Sequence, residues 1–490
     1  MRSQFPFGGT NTSLVIVVMS CLVSPLDGEA QAAVEASNQD PAVARRIAAD
    51  TTPESPPSIP RFECGYRSPA AWMDDVRSAV ARGEIADPTT REIPPIAAGV
   101  PRRGPTGSVC ISPAHIFPFE DGNGLLLTDF SDGQLVDLMV TAANDLMSLH
   151  GDNYDFIGYW VNFVPHHQIG TAFYKFIEND VMGIGDASTT GTPLFNLRPD
   201  LGLGGENIEG FIMMWQINNP IWQPGDGADA AFTRLALGQE YEHRFAMFLP
   251  PLRDGRVLQG DNGSCGRFFH WNWRVDGQGS CMEISEWVGA DPAVLEANFI
   301  SFNTDIPGSI FSYTDLYLMG YVSPEEMDAG NSELRFMDDS NCDPVYPGPI
   351  TDFTSADIIA AAGPRVPDHT EEDKHYRTAW IMIHQPGDPP DAGELDKTVA
   401  ILEQHMLDWN HSTLDRGTMN DSLFDDCNCN DVPDEDDISD GTSMDENGNG
   451  VPDECEFAIP TVSQWGMAAL AGLLVAAGMV LFGRRRAARA

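Results

Sequence analysis

Between residues 60 and 420 the chain arranges its apolar and polar positions with two different periods. Runs dense in β-branched and aromatic residues predict strands: YDFIGYWVNFV (Tyr154–Val164), GFIMMWQIN (Gly210–Asn218) and HYRTAWIMIHQ (His375–Gln385). Helical spacing predicts a helix over DAAFTRLALGQEYEHRFAMFL (Asp229–Leu249), stopped by Pro250 and Pro251, and another over KTVAILEQHMLDWNHST (Lys397–Thr413). Within LLLTDFSDGQLVDLMVTAANDLMSLHG (Leu125–Gly151) lies a third, with Ser131 or Asp132 as N-cap and Gly151 as stop. SAVARGEIA (Ser78–Ala86) predicts a short one. The aromatic block Phe311–Tyr321 reads as core, and the pair His166-His167 as surface loop. Strands ahead of a long helix, then mixed loops and later helices, predict an α+β body with a mixed sheet over 61–420.

Both ends follow other rules. One arginine, an apolar run from Leu14 to Val23 and AQA at Ala30–Ala32 predict a secretory signal peptide over 1–32. Lipidation at Cys21 ranks below plain cleavage. A proline-rich linker, with TTPESPPSIP at its end, fills 33–60. From Trp465 to Gly483 the chain is apolar and uncharged, long enough to span a bilayer as a helix, and Arg484, Arg485 and Arg486 follow. With Ile459-Pro460-Thr461-Val462-Ser463-Gln464-Trp465-Gly466 ahead of it, segment 459–490 resembles IPTL-CTERM sorting signals. Val462 and Gln464 depart from the usual Leu and Glu. The resemblance implies an exported protein, transient membrane anchoring through the C-terminal helix, and processing by a sorting enzyme at the cell surface. A plain C-terminal anchor is the alternative.

Charge narrows the partners. The 73 acidic residues against 28 basic ones give −45, a surface that repels nucleic acid and attracts divalent cations. Acidic and amide residues concentrate in two units nineteen residues apart within 425–457. One is Asp426, Asn428, Asn430, Asp434 and Asp437; the other is Asp445, Asn447, Asn449, Asp453 and Glu456. Those spacings match ligand positions of a calcium loop, with Gly450 at the sharp turn and Asp431 in its place in the first copy. The units resemble the Asp/Asn-rich repeats of dockerins and thrombospondin type 3 segments, which implies bound calcium, although the spacers are too short and polar for much helix. A disordered acidic linker is the alternative. Cleavage after Ala32 leaves eight cysteines, an even number that suggests disulfides in an exported chain. Nearness in sequence suggests Cys64–Cys110 and Cys265–Cys281, and Cys427, Cys429 and Cys455 are placed to cross-link the two loops.

The helix around Gln239-Glu240-Tyr241-Glu242-His243 carries the chemistry. With histidine in place of Gln239 it would read H-E-x-x-H. There, imidazoles at i and i+4 grip a zinc ion and the intervening glutamate takes a proton from the bound water. An amide oxygen is a weaker zinc ligand than imidazole nitrogen. This helix, GRFFHWNWRVDGQGSCMEISEW, FSYTDLYLMGYVSPEEM and HYRTAWIMI together resemble secreted bacterial proteins with a metallopeptidase-like domain, over about 150–420 and most specifically at Asp315–Gly320. The resemblance implies a metallopeptidase-like fold with an active-site helix. It implies Gln239, His243 and His270 as zinc ligands, Glu240 as catalytic base, and a protein or peptide substrate. Glu283 or Glu286 is an alternative third ligand, and Leu249 stands where a metzincin has its third histidine. Three functions follow from this reading: a secreted zinc hydrolase, a catalytically inert surface protein on the same scaffold, and, on the dockerin-like tail alone, a carbohydrate-related hydrolase.

Overall fold

Strands that are apolar on both faces must be covered on both, and the middle of this molecule is built on that requirement. The computed structural model describes residues 69–455 except 97–109, 186–192, 247, 259–269, 273, 278, 284–285, 289–292, 297–307, 331–334, 338–344 and 347–349. The expected signal peptide (1–32), linker (33–60) and sorting segment (459–490) lie outside the described residues, as does Glu456. Among the described residues no helix is long and apolar enough to cross a membrane.

The main elements in chain order are α1 (Pro69–Arg82), β1 (Ile116–Glu120), α2 (Asp132–His150), β2 (Phe156–Val161), β3 (Phe173–Phe176), β4 (Gly210–Gln216), α3 (Ala231–Glu242), α4 (Tyr313–Met319), β5 (His375–His384), α5 (Ala392–Ser412), β6 (Thr418–Asn420) and α6 (Asp434–Asp440). Across the central sheet the order is β1–β5–β2–β4–β3, with the short β6 beside the start of β5. β1, β5, β2 and β4 run parallel, and β3 returns antiparallel along β4. Register sets Thr378 opposite Phe156 and Phe156 opposite Gly210.

Alternate residues of these strands feed two cores. Phe156, Trp160, Ile212, Met214, Trp380 and Met382 face α3, α4 and α5. Ile157, Tyr159, Phe211, Met213, Ala379 and Ile381 face α1 and α2. Gly158 is demanded by its neighbour, because the Trp380 ring lies where a β-carbon would stand. Helices thus cover both faces of a mostly parallel sheet. The mixed sheet is as expected, but the α+β arrangement gives way to a mixed α/β one. The physical reason is that β5 enters between β1 and β2 from more than two hundred residues away, a pairing that local periodicity does not encode.

Two further expectations change. The helix expected to run to Leu249 ends at Glu242, with His243 as its cap. Arg244 is drawn off the helical path by Asn179 (2.6 Å), Asp180 (2.8 Å) and Glu209 (3.0 Å), and the last turn tightens to i→i−3 bonds. The disulfides also differ: Cys110 pairs with Cys429 and Cys427 with Cys455, while Cys281 is a buried free thiol. That overturns Cys64–Cys110 and Cys265–Cys281; spatial neighbourhood, not sequence distance, selects partners. Cys427–Cys455 does join the two acidic loops.

Candidate functional site

Tyr241 aims the α3 motif. Its ring stands edge-on to Phe156 (5.0 Å), stacks on His405 (4.9 Å), and its hydroxyl shares a hydrogen with Thr378 (2.6 Å). At about 100° per residue, this anchorage turns Gln239 and His243, two positions either side, away from the sheet. There they meet His270. The Gln239 amide nitrogen contacts His270 Nε2, and the His243 and His270 rings lie 5.3 Å apart at 70°. The structure therefore brings together the three side chains expected as zinc ligands. His243 and His270 are fully buried, and burial with His270 alongside holds the His243 imidazole well below its usual pKa, hence uncharged.

A three-step relay positions His270. Trp271 pairs its backbone N–H with Met282 O, and its indole N–H donates to Ser280 Oγ (2.9 Å). Ser280 Oγ in turn donates to Asp315 (2.7 Å), whose carboxylate also closes the capping box of α4 with Ser312. The Asp315–Gly320 block thus buttresses the segment carrying His270, and Phe311–Tyr321 is core as expected. Glu283, an alternative ligand, is spent on the backbone N–H groups of Gly277 and Gly279 (3.2 Å to the latter). The Glu286 side chain lies outside the described residues.

Glu240, the expected base, is buried beside this centre, and desolvation pushes its carboxyl up to about 8. Sequence reasoning passed over Glu242. It is wholly buried, neither carboxylate oxygen has a hydrogen-bond partner among the described residues, and burial beside Asp315 holds its pKa far above the carboxylate range. No sequence signal marks it, since a glutamate in a helix ordinarily faces water.

The two acidic loops have one backbone conformation. Cys429 (φ 61°) and Asp431 (φ 64°) are left-handed, as are Gly448 (φ 70°) and Gly450 (φ 78°) nineteen residues on. Asp431 therefore adopts the turn that glycine makes in the second copy, as aspartate tolerates. Asp426 accepts from Asn430 N (3.1 Å) and Asp431 N (2.8 Å); Asp445 accepts from Gly448, Asn449 and Gly450 N (2.8, 3.1 and 2.7 Å). Asn428 and Asn430 both donate to Asp437 (2.9 and 2.8 Å), Asp434 accepts from Cys427 N (3.0 Å), and Asp453 from Glu446 N (3.1 Å). Asn447 and Asn449 oxygens accept from Asn449 N (2.9 Å) and Val451 N (2.8 Å). After the first loop α6 forms, more helix than the polar spacer suggested; four acids in its first turn favour the positive helix end.

His115 holds the segment that leads into these loops against the body. Its Nδ1 accepts from Leu423 N (3.1 Å), its ring lies 4.1 Å from Phe424, and burial pushes its pKa down to about 4. The folded state therefore stays unprotonated between pH about 6.5 and 4, where the unfolded chain takes up a proton. The stability contribution is full above about 6.5 and lost as pH falls through that window, by about 2–3 kcal/mol. Urea midpoints should fall more steeply with acid in the wild type than in His115→Gln, whose amide oxygen keeps the Leu423 bond. Equal slopes would remove His115 from the account.

Residues 457–486 match the family described as the IPTL-CTERM motif. No curated protein and no solved structure matches the chain. The motif indicates an exported cell-surface protein handled by a sorting enzyme.

Proposed function

We propose that this exported surface protein is built on a metallopeptidase-like scaffold whose zinc centre has lapsed, leaving a catalytically inert binding or structural module. One observation carries the reading: the Gln239 amide nitrogen lies against His270 Nε2, so the first ligand position offers a donor where a metal needs a lone pair. The two buried imidazoles fit zinc, but the third group does not. A half-turn of the amide would present its oxygen, which would then take the Nε2–H of His270 in the other tautomer rather than a metal. A second reading, a zinc hydrolase acting on a protein or peptide, is favoured by the uncharged His243 and by a buried Glu240 poised near neutrality as a base. The loops of Asp426, Asn428, Asn430, Asp434, Asp437 and of Asp445, Asn447, Asn449, Asp453 suit calcium. Their residue types and spacing are those of calcium ligands, and in the first loop the amides of Asn428 and Asn430 donate to the Asp437 carboxylate.

The test is a zinc count on purified chain, calcium-saturated and washed with a zinc chelator. Well under one zinc per chain is expected. Near-stoichiometric zinc that disappears in His270→Ala would overturn the lapsed centre in favour of the hydrolase.

A further inference from the structure

We propose a second metal site, independent of the α3 centre, at Asp129, His166 and His167, for a divalent transition-metal ion such as zinc. One carboxylate and two imidazoles offer ligand atoms that all lie within 4.8 Å of one another. The His167 Nδ1 to Asp129 Oδ1 distance is 3.8 Å. Zinc bonds of about 2.0–2.1 Å hold their ligand atoms about 3.3 Å apart, so rotation of the exposed Asp129 and His166 side chains by about an ångström closes the set.

The cluster is organised before any ion arrives. His167 stacks on Phe130 (3.9 Å, 18°), which fixes one ring beside Asp129. His166 N–H donates to Leu126 O (2.7 Å), tying the histidine loop to the segment that carries the carboxylate. Those loops leave the carboxyl ends of the parallel strands β1 and β2, the edge where open α/β sheets place ligands. Two imidazoles with one carboxylate select a zinc-, copper- or nickel-like ion over calcium or magnesium, which require oxygen throughout. The site therefore takes a different cation from the acidic loops. Three protein ligands on an exposed surface leave a fourth position for water or for a group from another molecule. The net charge of −45 draws cations toward it.

The experiment is zinc titration of the full chain by calorimetry, with excess calcium present to fill the acidic loops. His166→Ala and His167→Ala should each weaken one zinc-binding event by at least about tenfold, Asp129→Asn less, and His243→Ala not at all. All three residues are on the surface, and unchanged circular dichroism will show that the variants fold. Identical isotherms for wild type and His167→Ala would overturn the proposal. So would loss of the zinc event in His243→Ala with His167→Ala unaffected, because the zinc would then sit at the α3 centre.

Discussion

Gln239→His should hold one zinc ion per chain through a chelator wash that strips the wild type, with affinity raised by at least about 100-fold, or some 2.7 kcal/mol. The new imidazole would stand four residues before His243 on the face that Tyr241 turns toward His270. It replaces a group that donates to His270 Nε2 with one that presents a lone pair, and it releases His270 to do the same. His243 need not lose a proton, since burial already keeps it uncharged. The cation would also supply the charge that Glu240 and Glu242 lack, so both carboxyls should fall from their raised values on loading. Zinc-dependent elevation of the melting temperature, larger in the variant than in the wild type and kept when His167→Ala is added, gives an independent readout. A folded variant that takes up no zinc would show that the three side chains share a location without sharing a metal-binding geometry, and the metallopeptidase resemblance would lose its chemical content.

How far the sequence carried this picture depends on the range of each interaction. The β5 run and the capped α2 are set by neighbours within a few residues, and both appear where their patterns placed them. The convergence of Gln239, His243 and His270 was anticipated only through resemblance, because His270 reaches the site by way of Ser280 and Asp315, side chains distant in sequence. The parallel order, the early end of α3 at Arg244 and the Cys110–Cys429 bond depend on partners tens to hundreds of residues away, which periodicity does not sense. Glu242 escaped notice for another reason. Its burial breaks the rule that charge faces water, and such breaches concentrate at functional sites.

Removing Cys110–Cys429 by paired serine substitution should cost about 3–5 kcal/mol in urea unfolding and free the acidic loops before the body. The bond joins residues 319 apart, so it restricts the unfolded chain over most of its described length; Cys427–Cys455 closes only 28 and should cost less, about 2–3 kcal/mol. Position matters as much as length. Up to Asp425 the chain stays docked by Tyr154 to Leu423 O (2.7 Å), His115 to Leu423 N (3.1 Å) and Arg377 to Asp425 (3.0 Å). Beyond it, Cys429 stands between Asn428 and Asn430, and its left-handed backbone turns both amides toward Asp437. Without the bond that turn is held by local contacts alone. The calcium affinity proposed for the loops should drop with it, and limited proteolysis should cut within 425–455 while the sheet-bearing body persists. The two disulfides share the first loop, so their effects should not add. Unchanged urea midpoints together with unchanged protection of the loops would mean that the acidic module is fastened by its non-covalent contacts, and the covalent link to the body would have no mechanical role.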